Sequence, residues 1–261
     1  MGPMFVHLRL HTEFSVADGT CRIDDVVAAA KADGQAALAI TDLNNLFGAV
    51  KFYSACRQQG IKPLLGAEVA LIGPDEEWGS ETSKIVLLVQ NTTGYLNLCD
   101  LLTKLWTQSP EKTHNAIDWR WLQPERTEGL LALSGAQQGP VGQLLLAGNP
   151  ARARALAEKF SQLFPNRFYV ELQRAGRVDD ERYISAAVDL ATELGLPVVA
   201  THPVQFIHEE DFEAHEARVC ISQGEILGNP KRPKRFTKQQ YFHSAALKSK
   251  WWVHARTDIP A

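Results

Sequence analysis

The sequence predicts an α/β protein, specifically a β/α barrel built from about seven parallel strands alternating with helices. Two observations carry that prediction. Short apolar runs bounded by turn residues alternate along the chain with segments whose apolar residues recur at helical spacing. Polar side chains capable of chemistry sit directly after several of those runs, and in β/α folds function gathers at the loops that follow strand C-termini.

The elements follow in order. FVHLRL (5–10) reads as a first strand, and its alternation puts His7, Arg9 and His11 on one face. IDDVVAAAKADG (23–34) is a helix, with Asp24 and Asp25 near its N-terminus and Gly34 beyond its end. AALAI (36–40) is a buried strand ending at Thr41-Asp42. LFGAVKFYSACRQQG (46–60) is a helix closed by Gly60, and IKPLLGAEVALI (61–72) holds the next strand. KIVLLVQ (84–90), LLALSG (130–135) and RFYVELQ (167–173) are further strands. In 179–195, Ile184, Ala187, Val188, Ala191 and Leu194 keep the i, i+3, i+4 rhythm, aspartates lead and Gly195 stops the helix. LPVVAT (196–201) is the last strand and DFEAHEARVCISQG (211–224) the last helix. The acidic stretch 73–83 and the polar stretch 107–115 read as exposed insertions, and the proline-broken run PKRPKR (230–235) as extended chain.

Composition narrows the class. The chain has 261 residues, 45% apolar and 22% charged, a size suited to one large domain or two small ones. A formal net charge of -3 excludes the overall basic field of a free-standing DNA binder. Cys21, Cys56, Cys99 and Cys220 are far apart and form no CxxC pair, so they read as separate thiols in a reducing compartment. No run approaches the ~20 apolar residues of a membrane span, and a cytoplasmic location is expected.

His11 and Asp18 follow the first strand, Asp42 the second, Glu68 the third and His202 the last. Imidazole and carboxylate at strand ends are the ligands that zinc and manganese accept. Strand ends in any β/α barrel carry polar residues, so spacing alone leaves a metal site and ordinary strand-end polarity both open.

The stretches FVHLRLHTEFSVADG, ALAITDLNNLFGAVKFYSACRQQGIKPLLGAEV, NTTGYLNL, GLLALSG, GLPVVAT and DFEAHEARV, in that order, resemble a known family. It is the polymerase-and-histidinol-phosphatase (PHP) domain at the N-terminus of bacterial replicative C-family DNA polymerases, the DNA polymerase III α subunits. The resemblance implies a distorted, seven-stranded, TIM-like PHP barrel over residues 1–242, with 243–261 a diverged tail at the start of a missing polymerase region.

Active members of the family hold two or three metals on about nine ligands, and the resemblance places those positions residue by residue. His11, Asp18 and Glu68 keep a ligand type, whereas Arg9, Leu43, Lys84, Ala136, Pro203 and Gln205 replace one. His7 reads as structural. Arg9 and Lys84 bring fixed positive charge to where cations would sit, and they could neutralise carboxylates that would otherwise raise each other's pKa. The expectation is a degenerate metal site with no resident cofactor. A mononuclear zinc, manganese or magnesium site rebuilt by His202 with His11, Asp18 and Glu68 is the alternative.

The function implied by the resemblance is a structural scaffold in DNA replication that docks the proofreading exonuclease subunit and supports the remainder of the polymerase. The full-length family member is a nucleotidyltransferase, but this chain lacks the palm aspartates of polymerisation. An active metal-dependent phosphoesterase or 3′–5′ exonuclease is the competing reading. A small-molecule aldolase would need a lysine poised at a strand end, and Lys84 sits at a strand start. Lys231, Arg232, Lys234 and Arg235 are candidate phosphate contacts, with DNA met only in the full assembly and no membrane partner. A solvated basic loop is the plainer reading of that run. Trp78, Trp106, Trp119 and Trp121 read as core or partner-surface residues, and Trp251-Trp252 as an apolar pair that something must cover.

Overall fold

The computed structural model describes residues 5–73, 82–108 and 115–247. The bulk of the 73–83 and 107–115 stretches, Trp78, Trp251 and Trp252 lie outside the described residues. The chain divides into two compact units.

The first unit comprises residues up to Asp42, Phe47–Leu65 and the chain from His202 onward. Helix α1 (Ile23–Ala32) buries Ile23, Val26, Val27 and Ala30, the i, i+3, i+4, i+7 stripe of its sequence. Strand β1 (Ala37–Ile40) pairs in parallel with the first four residues of β2 (Lys62–Ile72). Helix α2 (Ala49–Gln59) turns Ala49, Phe52 and Cys56 inward and ends at Gly60, whose φ of 74° favours a residue without a Cβ. These faces close one core of Leu10, Ile23, Val26, Leu38, Ile40, Phe52, Ile61 and Val204. Helix α8 (Phe212–Gln223) completes the unit.

Residues 5–10 do not form the regular strand expected. They make single parallel bridges, His7 to Leu38 and Leu10 to Val204. The Leu10 N–H donates to the Thr41 hydroxyl at 3.0 Å rather than to a backbone carbonyl, and that substitution interrupts the ladder. His7, Arg9 and His11 are all buried.

The second unit comprises Leu43–Leu46 and Gly66–Thr201. Here the remainder of β2 pairs antiparallel with β3 (Ser83–Val89), β3 pairs antiparallel with β5 (Leu130–Leu133), and β5, β6 (Phe168–Gln173) and β7 (Val198–Thr201) run parallel. The two-residue β4 (Ile117–Asp118) pairs in parallel with β2. The expected all-parallel sheet is therefore corrected to a mixed one. Ten residues separate β2 from β3, too few for a crossover, so the chain returns antiparallel. The α/β class is as expected, and six of the seven expected strands form among the described residues; the seventh strand observed is β4, which the sequence pattern did not mark, while residues 5–10 make isolated bridges.

Helices α3 (Thr92–Gln108), α4 (Pro124–Thr127), α5 (Pro140–Leu146), α6 (Pro150–Leu163) and α7 (Asp180–Leu194) belong to this unit. Trp106 is 53% exposed, and its indole N–H donates to the Asn44 carbonyl at 2.9 Å. Cys21, Cys56 and Cys220 are buried and all four cysteines are free thiols; burial pushes the Cys21 thiol up, and that of Cys56 to about 12. No helix among the described residues is long and apolar enough to cross a membrane.

Candidate metal centre

In the first unit, the segment after the bridge at Leu10 folds into a tight polar turn. Thr12 caps a single 3-10 turn (Glu13–Ser15), its hydroxyl accepting from Phe14 N–H at 3.1 Å. The turn brings Asp18 back to His11, and His11 Nδ1 donates to Asp18 Oδ1 at 2.8 Å. Ser15 Oγ donates to the same oxygen at 2.8 Å. A carboxylate on one imidazole nitrogen fixes the ring's tautomer and orientation. From α8, His215 Nε2 reaches the Asp18 carbonyl at 2.9 Å, and burial holds the His215 pKa below its ordinary value. A lone histidine in the apolar pattern of 211–224 was the only trace of this interaction in the sequence.

Asp42 ends the β1 segment and accepts from the Thr12 N–H at 2.6 Å and the Thr12 hydroxyl at 2.8 Å. Burial outweighs these bonds and raises its pKa to about 6. A raised carboxyl pKa favours the protonated group in the folded chain. Its contribution is full below about pH 4 and is lost as pH rises through about 6, a change of up to about 3 kcal/mol by linkage. Asp42→Asn keeps a carbonyl oxygen for the Thr12 N–H and an amide for its hydroxyl. Urea midpoints between pH 4 and 7 should fall with pH for the native chain relative to this variant. Parallel pH profiles for the two proteins would refute the assignment.

His202 is fully buried, and its Nε2 lies 2.9 Å from the Tyr241 carbonyl. His7 Nε2 lies likewise 2.8 Å from the His243 carbonyl, and the His202 and His243 rings stand 4.4 Å apart. Both imidazoles fasten the 241–243 segment, a local hydrogen-bonding role for a strand-end histidine. Pro203 and Gln205 are buried next to them, and the Gln205 N–H donates to the Gln240 carbonyl at 2.8 Å.

In the second unit, Glu68 on β2 is 1% exposed and Lys84 Nζ stands 2.8 Å from its Oε1. Register explains the pair: Glu68 lies opposite Val86 and Lys84 opposite Ala70, so the two are diagonal neighbours on one face. Leu43 bridges Glu68 in parallel, and the Asn44 side chain accepts from Ala70 N–H at 2.8 Å. Ala136 is buried with φ 50°, directly after Gly135. A fully buried carboxylate that the sequence pattern did not single out, Glu171 on β6, accepts from Gly135 N–H at 3.0 Å and Gln173 Nε2 at 2.9 Å, and from the Thr201 hydroxyl. Its signal was a single acidic residue inside the apolar run FYVELQ.

Among the described residues, no group of three or more His, Cys, Asp or Glu side chains is arranged to hold a metal ion. The basic run needs a correction. Arg232 is turned inward, its guanidinium 2.5 Å from the Glu216 carboxylate, with side chains 10% and 3% exposed. It is a structural ion pair, whereas Lys231, Lys234 and Arg235 are exposed.

The family model described as the PHP domain matches residues 7–175. The chain belongs to the PHP domain family.

This PHP domain is 45% identical over 242 residues to a DNA polymerase III subunit alpha of Pseudomonas aeruginosa, covering 93% of the chain and 20% of the relative. It is 48% identical over 242 residues to a DNA polymerase III subunit alpha of Neisseria meningitidis, covering 92% of the chain and 21% of the relative. The matches fall on the N-terminal region of these proteins, so the chain spans about a fifth of the length of the curated relatives it matches. Among solved structures, a two-domain protein from Bacteroides vulgatus containing a predicted PHP-like metal-dependent phosphoesterase aligns with a TM-score of 0.48 and 11% identity. That alignment covers 77% of this chain and 52% of the other.

Proposed function

We propose that this PHP domain is a non-catalytic scaffold within a cytoplasmic replicative DNA polymerase, carrying a degenerate metal site and docking the proofreading exonuclease subunit. The observation that carries the reading is Lys84 on Glu68: an ammonium stands 2.8 Å from a retained ligand carboxylate, in the place of a cation. A second fixed charge, Arg9, is buried in the first unit at another replaced ligand position. The names of the relatives support membership of a polymerase assembly, and the exonuclease partner rests on the family resemblance.

The retained His11–Asp18 pair favours a second reading, a metal-dependent phosphoesterase, because a carboxylate-oriented imidazole is how metal-binding histidines are held. Elemental mass spectrometry of the purified chain, dialysed against zinc and manganese and then against buffer, separates the two. The scaffold reading expects no stoichiometric metal. A full equivalent that is lost on His11→Ala would overturn it. Co-elution with purified exonuclease subunit on a sizing column tests the docking role, and separate elution would remove it.

A further inference from the structure

A groove of about 370 Å³ opens in the first unit beside α8. Four glutamates line it, Glu209, Glu210, Glu213 and Glu216, together with the apolar Phe212 and Leu227 and the cations Arg232 and Lys238. The helix is entered through a 3-10 turn (Glu209–Asp211), in which Asp211 is used for capping: its Oδ2 accepts the His208 N–H at 2.9 Å. The glutamates have no such use. Glu209, Glu210 and Glu213 are exposed and have no ion-pair partner among the described residues. Glu209, Glu213 and Glu216 recur at helical spacing, where like charges repel one another.

Glu216 stands apart from the other three because it is only 2% exposed. Its ion-pair partner is Arg232, and that guanidinium is divided. Nη2 stands 2.5 Å from Glu216 Oε2, whereas Nε donates to the Leu227 carbonyl at 3.3 Å. Glu216 Oε1 receives no hydrogen bond among the described residues. An ionised carboxylate has room for about four hydrogen bonds, and leaving an oxygen unmet away from water is costly. Acidic residues in a first turn suit the helix dipole, but Glu216 lies beyond the first turn of α8.

Four carboxylates against two cations leave the groove negative. Among the described residues, no three His, Cys, Asp or Glu side chains converge to hold a metal ion. Carboxylates spread along a groove suit the long stems and several donors of arginine and lysine instead. Phe212 and Leu227 offer apolar surface to those stems and to a neighbouring apolar side chain.

We propose that this groove is a docking site for a basic peptide segment of a partner protein, in which an arginine or lysine donates to Glu216 while Glu209, Glu210 and Glu213 hold the neighbouring cations. The site stands independently of the scaffold reading, since none of its residues is a retained or replaced metal-ligand position.

Binding of the 261-residue chain to a fluorescein-labelled octapeptide of alternating arginine and leucine, followed by anisotropy, tests this. Glu209→Gln, Glu210→Gln and Glu213→Gln together, all on the surface, should raise Kd roughly tenfold through the loss of three exposed charge pairs. Glu125→Gln, Glu128→Gln and Asp189→Asn remove the same charge from exposed positions in the second unit and should change Kd by less than about twofold, because salt screens remote charge. An alternating arginine–glycine peptide of equal charge should bind more weakly than the arginine–leucine one. Absence of binding, or equal losses in the two triple variants, overturns the site. Equal binding of the two peptides overturns the apolar part of the recognition. Stoichiometric metal in the other experiment would remove the scaffold reading and leave these ratios untouched, so the two failures are distinguishable.

Discussion

Lys84→Met is expected to lower the thermal midpoint of the chain by roughly 6–12 °C. Glu68 is almost wholly removed from water, and Lys84 stands 2.8 Å from it. Deleting one partner of a buried ion pair removes that counter-charge from a carboxylate held out of water and costs about 3 kcal/mol. For a domain of this size, each kcal/mol shifts the midpoint by about 2–4 °C. Glu68→Ala should cost less, since the Lys84 side chain is 24% exposed and can turn its ammonium to water. The double variant Glu68→Gln with Lys84→Met should recover most of the loss, because replacing both charges of a buried pair is often neutral. Calorimetry on the three variants checks the ordering. A Lys84→Met protein as stable as the native chain would show that the pair does not hold the site.

Gly135→Ala is expected to cost about 4 kcal/mol or to prevent folding. The glycine has φ 82°, and a Cβ there would stand 1.8 Å from the Lys84 carbonyl oxygen. Left-handed strain contributes about 1–2 kcal/mol, and the clash with β3 backbone adds about 1–3 kcal/mol more. A shift that relieved the clash would also pull the Gly135 N–H from Glu171, 3.0 Å away. Gly34→Ala is the matched control, because Gly34 has φ 70° with open space around its Cβ position. It should show backbone strain alone, about 1 kcal/mol. Equal denaturant midpoints for the two variants would show that the close approach at Gly135 is relieved at no cost.

Much of the secondary structure was legible because it is written locally. The apolar stripes of α1 and α7 and the glycine stops at Gly60 and Gly195 lie where periodicity and capping place them. Helix α6 carried the same signal in Ala153, Leu156, Ala157 and Phe160, with Pro150 at its first turn, and went unread. Helix α3 is masked by two threonines and Gly94, residues of poor helical propensity. Gly94 is required by packing, since a Cβ there would meet the Gly129 carbonyl oxygen at 1.8 Å. That approach spans 35 positions of sequence, and no local window can contain it.

Residue identity and short-range order were enough for the α/β class, six of the strands and the family, and through the family resemblance they set His11, Asp18 and Glu68 apart as ligand types among replaced ones. Only the tertiary structure decided that β3 runs antiparallel to β2, and so that Lys84 falls diagonally across from Glu68. Only it turned His202 onto the Tyr241 carbonyl and drew Arg232, alone of four neighbouring cations, inward to Glu216. Each of these outcomes depends on which distant group arrives within about 3 Å of a side chain, and charge pairing and hydrogen bonding act over that distance, not along the sequence.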